Sequence, residues 1–179
     1  MIRSGLLCLA LMAAGLAHAD QGSALASSEL QTCSSAPVKA LRIFEVGEAR
    51  LARPECDSAN SLLTPPLELT FAYQRAIPGN AMAKAALVMI ERNLSDADFD
   101  ALEARLIAFS DGYQDIDSGD AYHLRYASDG KLELWLNDEL LRTEQGHDFA
   151  KAYLSIWFGD KPYSDDLKQR LLSNQLAAN

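Results

Sequence analysis

The chain has 179 residues, a length that suits one domain with a substantial core and calls for no second. With 25 acidic against 16 basic residues its formal charge is −9, which excludes the basic surface that a nucleic-acid partner needs. The carboxylates are spread along the chain rather than gathered in runs, so the charge serves solubility and names no substrate.

Residues 1–19 read as a secretory signal: Arg3 gives the positive start, residues 6–16 a short apolar run, and Ala17-His18-Ala19 a small-x-small cleavage site. The run is shorter than the about 20 apolar residues of a membrane helix, so the expectation is a periplasmic or secreted protein with no membrane span. Cleavage removes Cys8 and leaves Cys33 and Cys56. An even pair in an oxidising compartment makes a disulfide the simplest inference, with two free thiols as the alternative. Residues 20–37 are expected to form a flexible arm, because Ala, Ser, Gln and Gly recur there with little periodicity. The folded domain is placed at 38–179, with order starting near Val38.

Residues 41–51 mix β-branched and aromatic side chains around Gly47, which predicts a strand that bends at the glycine. Residues 53–66, rich in Pro, Asp, Asn and Ser, predict a loop with at most a short strand. Leu67, Leu69, Phe71 and Tyr73 then alternate with Glu68, Thr70, Ala72 and Gln74, the signature of a strand with one buried face. Pro78-Gly79 ends it. A helix over 81–93 puts Met82, Ala86, Met89 and Ile90 on one face, and Ser95 with Asp98 opens a second helix with Phe99, Leu102, Leu106 and Phe109 inward.

The acidic connection 111–120 lacks the ligand spacing and closing glutamate of a calcium loop, so it reads as solvated loop. Tyr122, Leu124 and Tyr126, the turn Ser128-Asp129-Gly130, and Leu132, Leu134 and Leu136 predict a β-hairpin, followed by a short strand over 140–143. Asp148 is the expected cap of an aromatic helix carrying Phe149, Tyr153, Ile156 and Trp157, and Gly159 its expected left-handed stop. Pro162 blocks continuation, and Ser164 caps a last helix with Leu167, Leu171 and Leu172 as its apolar stripe. After cleavage only His123 and His147 remain, with no Cys or His cluster at ligand spacing, so no metal and no cofactor is expected. Phosphate loops and nucleophile elbows are missing as well.

The stretches Val46-Gly-Glu-Ala-Arg-Leu51, Leu69-Thr-Phe-Ala-Tyr-Gln-Arg-Ala-Ile-Pro-Gly79 and above all Phe149-Ala-Lys-Ala-Tyr-Leu-Ser-Ile-Trp-Phe-Gly159 resemble the bacterial chalcone isomerase-like proteins. The resemblance spans roughly 38–173. It implies an α+β open-faced sandwich, a curved antiparallel sheet with helices packed on one face and an apolar cleft between them. True chalcone isomerases use an arginine on an early strand, a threonine, a tyrosine and an asparagine on a helix, and a Ser or Thr before the last helix. The resemblance carries the arginine to Arg50 and the last hydroxyl to Ser164. The tyrosine and asparagine positions fall on Met82 and Met89, and Thr64 matches the threonine poorly. Methionine donates no directed hydrogen bond to a developing oxyanion, so no catalytic residue is assigned.

The expectation is therefore an exported, non-catalytic protein that binds a small apolar acid, such as a fatty acid, in the cleft. Met82 and Met89 would adapt to its chain, with Ser164 beside them and Arg50 pairing with the carboxylate. The alternatives are an isomerase or intramolecular lyase working through Arg50, or an envelope protein that binds a partner. On the plainest view both methionines are core and Arg50 makes a structural ion pair.

Overall fold

The computed structural model describes residues 30–40, 43–56 and 63–173. In chain order these form β1 (Gln31–Ala40), β2 (Phe44–Arg53), β3 (Leu67–Tyr73), α1 (Gly79–Glu91), α2 (Asp96–Ser110), β4 (Ala121–Tyr126), β5 (Lys131–Leu136), β6 (Glu139–Gln145), α3 (His147–Phe158) and α4 (Asp165–Leu172). Each strand pairs antiparallel with the next, so the sheet is a meander of order β1-β2-β3-β4-β5-β6. This is the α+β open-faced sandwich expected from the sequence.

Side chains of residues directly opposite one another in an antiparallel pair share a face, so the register sorts the sheet into rows. Leu51, Leu69, Leu124 and Leu134 form one row, all buried under the helices. The neighbouring row, Arg50, Thr70, His123 and Trp135, must point the other way. On that outer face Arg125 Nε donates to Glu68 Oε2 at 2.7 Å, and its guanidinium lies 4.5 Å from the Trp135 ring centroid. Burial pushes the Glu68 carboxyl up, but hydrogen bonds from His123 and Arg125 outweigh it and bring the group down to about 2.

The helix layer is organised by α3. Phe149, Ala150, Tyr153 and Leu154 are fully buried, and Phe109 of α2 meets the rings of Phe149 and Tyr153 edge-on at 5.4 and 4.8 Å. Burying side chains of this size contributes about 1.5–3 kcal/mol each, which makes α3 the principal source of core stability. Its first turn differs from expectation. Gly146, at φ +124°, occupies the cap position, and Asp148 lies inside the first turn without a capping bond, its carboxylate 3.6 Å from Arg105 Nη1. Gly159 ends α3 at φ −69°, so left-handed freedom is not its role. A Cβ there would meet Asn93 and would lie 2.7 Å from the Ser155 carbonyl oxygen, so close approach requires the glycine.

The signal segment 1–19 and residues 20–29 lie outside the described residues. Residues 31–37 correct the expected flexible arm, because they form most of β1, paired to β2 from Gln31↔Arg53 to Ala40↔Phe44. The cause is packing. Helix α4 lies directly on β1, so the inward positions are the small residues Ser34 and Ala36 rather than large apolar ones, and the composition imitates a linker. Ser34 Oγ donates to the Leu171 carbonyl at 2.5 Å and ties strand to helix. Ser164 caps α4 as expected, its hydroxyl accepting from Leu167 N–H at 3.2 Å.

Cys33 and Cys56 are joined in a disulfide with a sequence separation of 23, closing the β1–β2 hairpin at its open end. Chain-entropy arithmetic for a loop of that length gives about 3 kcal/mol. Cys33→Ser is therefore expected to lower the urea unfolding free energy by about 2–4 kcal/mol. A loss below about 0.5 kcal/mol would show that sheet pairing alone holds β1.

Candidate functional site

Helix α1 presents Met82, Ala85, Ala86 and Met89 at the three- and four-residue spacing of one helical face. The helix packs chiefly against α2 and α3, and this face looks across a cavity toward the sheet. Both its ends are tied to the body. At the start, Gly79 N–H donates to Asp115 Oδ1 at 2.8 Å, and Ile77 bridges Ile116. At the other end, Asn93 Nδ2 donates to Lys161 O at 2.9 Å, Lys161 N–H returns a bond to Asn93 Oδ1 at 2.8 Å, and Arg92 donates to the carbonyls of Lys161 and Pro162.

The space beneath this helix is a cavity of about 230 Å³. Phe71 and Tyr73 of β3 and Tyr122 and Leu124 of β4 form its floor, with Val38 of β1 beside them. Ile156 and Trp157 of α3 close one side, and Ile77, Tyr113 and Tyr163 complete the wall. Trp157 packs 4.9 Å from the Phe71 ring, while Tyr122 is met edge-on by Tyr73 and by Tyr113. Ala81, Ala85 and Tyr163 are solvent-exposed and mark the mouth.

Every titratable group in this wall is a tyrosine. Burial pushes the hydroxyls of Tyr73, Tyr113, Tyr122 and Tyr163 above the ordinary phenol range, so each stays protonated near neutral pH. Their hydrogen bonding differs. Tyr122 Oη donates to the Gln114 carbonyl at 2.8 Å and accepts from Gln114 N–H at 2.9 Å. Tyr163 Oη donates to the Lys39 carbonyl at 2.9 Å. The Tyr113 hydroxyl lies beside that of Tyr153, which burial pushes up to about 12 and which stands 3.4 Å from Ser110 Oγ. Tyr73 Oη has no hydrogen-bond partner among the described residues.

Of the four ligand-binding residues expected from sequence, Met82 and Met89 line this cavity, two helical turns apart. Arg50 does not. It belongs to the outward row of β2, its side chain is 52 % exposed, and its Nε donates to Glu48 Oε1 at 2.5 Å. The strand alternation that buries Ala49 and Leu51 aims Arg50 away from the helices. Ser164 is also outside, engaged in capping α4 and facing a surface groove shared with Lys39, Asp165 and Arg170. Thr64 is exposed. The tyrosines and Trp157 went unassigned in the sequence because inward alternation marks a core residue and a cavity-lining residue alike.

With this geometry in view, the similarities to known proteins are informative. A family model described as chalcone isomerase-like matches residues 52–173. No curated protein sequence matches the chain. Among solved structures, a crystal structure of an Arabidopsis thaliana fatty-acid binding protein superposes with a TM-score of 0.57 at 12 % identity, covering 86 % of this chain and 91 % of that one. The likeness is one of fold.

The two sheet tyrosines offer a contrast that checks the site. Tyr122→Phe leaves the Gln114 N–H and carbonyl without their partner and is expected to cost about 1–3 kcal/mol in urea unfolding. Tyr73→Phe breaks no hydrogen bond and is expected to change stability by less than about 0.5 kcal/mol. Equal losses at both positions would show that Tyr73 also bonds within the protein.

Proposed function

We propose a carrier role for this chain, which belongs to the chalcone isomerase-like family: it binds a small apolar molecule with an aliphatic chain like that of a fatty acid, its head group left open, under α1. The observation that carries this reading is the cavity itself, walled by Met82, Met89, Phe71, Trp157 and alanines, whose polar side-chain groups among the described residues are tyrosine hydroxyls and the Trp157 indole N–H. Burying an aliphatic chain there yields about 25 cal/mol for each Å² removed from water, and thioether side chains adjust to its shape at small cost. At about 230 Å³ the cavity is below the roughly 300–1,000 Å³ of drug-sized pockets, which favours a medium-length chain over a long one. The fold shared with a fatty-acid binding protein is consistent with this class of ligand.

The role we propose is non-catalytic. Protonated tyrosines in an apolar wall can donate hydrogen bonds, but none is poised to take a proton near neutral pH. Export into a bacterial periplasm or the medium, directed by residues 1–19, belongs to the same proposal, and a disulfide in the domain fits such a location.

Thermal unfolding with a panel of medium-chain acids, alcohols and ketones tests the binding claim. At a ligand concentration roughly a hundred times Kd, the melting temperature is expected to rise by about 5–10 °C. Ala85→Trp, at the exposed mouth, is expected to abolish the rise while leaving the ligand-free melting temperature within about 2 °C. Failure of every panel member to shift the wild-type protein would end the carrier reading.

A further inference from the structure

Two of the four hydroxyls in the cavity wall are hydrogen-bonded inside the protein, Tyr122 to Gln114 and Tyr163 to Lys39, and the Tyr113 hydroxyl lies beside that of Tyr153. Tyr73 lies at the cavity wall with no polar side chain beside its hydroxyl except other tyrosines, and that hydroxyl has no hydrogen-bond partner among the described residues. Among the described residues no lining residue is Lys, Arg or His. Arg50 lies across the sheet, and Lys39 lines the surface groove beyond Tyr163. A carboxylate drawn under α1 would thus lose its hydration with no countercharge, a penalty of several kcal/mol for an ion of that size. A neutral oxygen carries no such penalty, and accepting from Tyr73 Oη would satisfy two buried polar atoms at once.

We propose that the cavity takes its ligand uncharged, as an aliphatic carbonyl compound whose oxygen accepts a hydrogen bond from Tyr73 Oη, and that it rejects the ionised acid of equal length. This rests on the carrier reading and specifies the head group that reading leaves open. Tyr73 is a specificity residue on this account, and the apolar wall supplies affinity without regard to the head. Because its hydroxyl holds nothing in the ligand-free protein, removing it should alter head-group preference and not folding.

The experiment is isothermal titration of the full chain with three molecules of matched length: methyl nonyl ketone, decanoate and undecane, at a pH well above the carboxylate range so that the acid is ionised. The ketone is expected to bind at least about ten-fold more tightly than decanoate, the factor that 1.4 kcal/mol represents. Tyr73→Phe is expected to weaken the ketone about five-fold, within the range for one neutral hydrogen bond, and to leave undecane unchanged. Decanoate binding as tightly as the ketone would overturn the proposal, as would a ketone affinity insensitive to Tyr73→Phe. Either result leaves the carrier reading standing. Absence of binding by all three to the wild-type protein would overturn both.

Discussion

A helix held at both ends and away from the sheet is the constraint on which the rest of this molecule depends. An amphipathic helix ordinarily lays its apolar stripe on a sheet, since the burial is the main source of its stability. Here α1 is tied to the body by the Gly79–Asp115 bond at one end and the Asn93–Lys161 pair at the other, with the cavity beneath its stripe. Its own partners are α2 and α3, so the stripe carrying Met82 and Met89 spans a gap. Two features elsewhere serve that geometry. Gly159 lets the Asn93 side chain approach the end of α3, whose buried face of Phe149, Tyr153 and Leu154 gives the clamp its base.

Sheet and helices then divide the chemistry. The outer face gathers the ionic groups and neutralises them among themselves, with Glu68 between His123 and Arg125, and Arg50 beside Glu48. The inner face keeps the apolar rows, and where those rows pass beneath α1 the polar side-chain groups among the described residues are tyrosine hydroxyls and the Trp157 indole N–H. The result is a cavity whose electrostatics are set by neutral donors.

Much of the fold was legible because alternation and capping are local signals. Leu67 to Tyr73, the β4–β5 hairpin and the Ser95 and Ser164 caps are each decided within a few residues, and the structure places them where the pattern does. The family resemblance added the layer architecture. β1 was not legible: its inward residues are small because α4 covers them, a fact that resides in tertiary packing. The misplacement of Arg50 has a different origin. Motif matching carried it to the cleft, although Leu51 beside it is apolar and adjacent strand residues face opposite ways. Strand parity, applied strictly, would have sent Arg50 outward. Helical spacing put Met82 and Met89 on one face, and the family resemblance put them at the cleft, where both line the cavity; Tyr73 could not be separated from core, since its distinction is a missing partner and not a pattern.

The central claim is that an apolar ligand lodges between α1 and the sheet, and methyl-labelled methionine NMR tests it most directly. The chain has four methionines, of which Met82 and Met89 lie in the domain and both line the cavity. Titration with methyl nonyl ketone should move both methyl resonances along one saturating course, with assignments supplied by Met82→Leu and Met89→Leu. Saturable binding that leaves both resonances in place would put the ligand elsewhere and contradict the account.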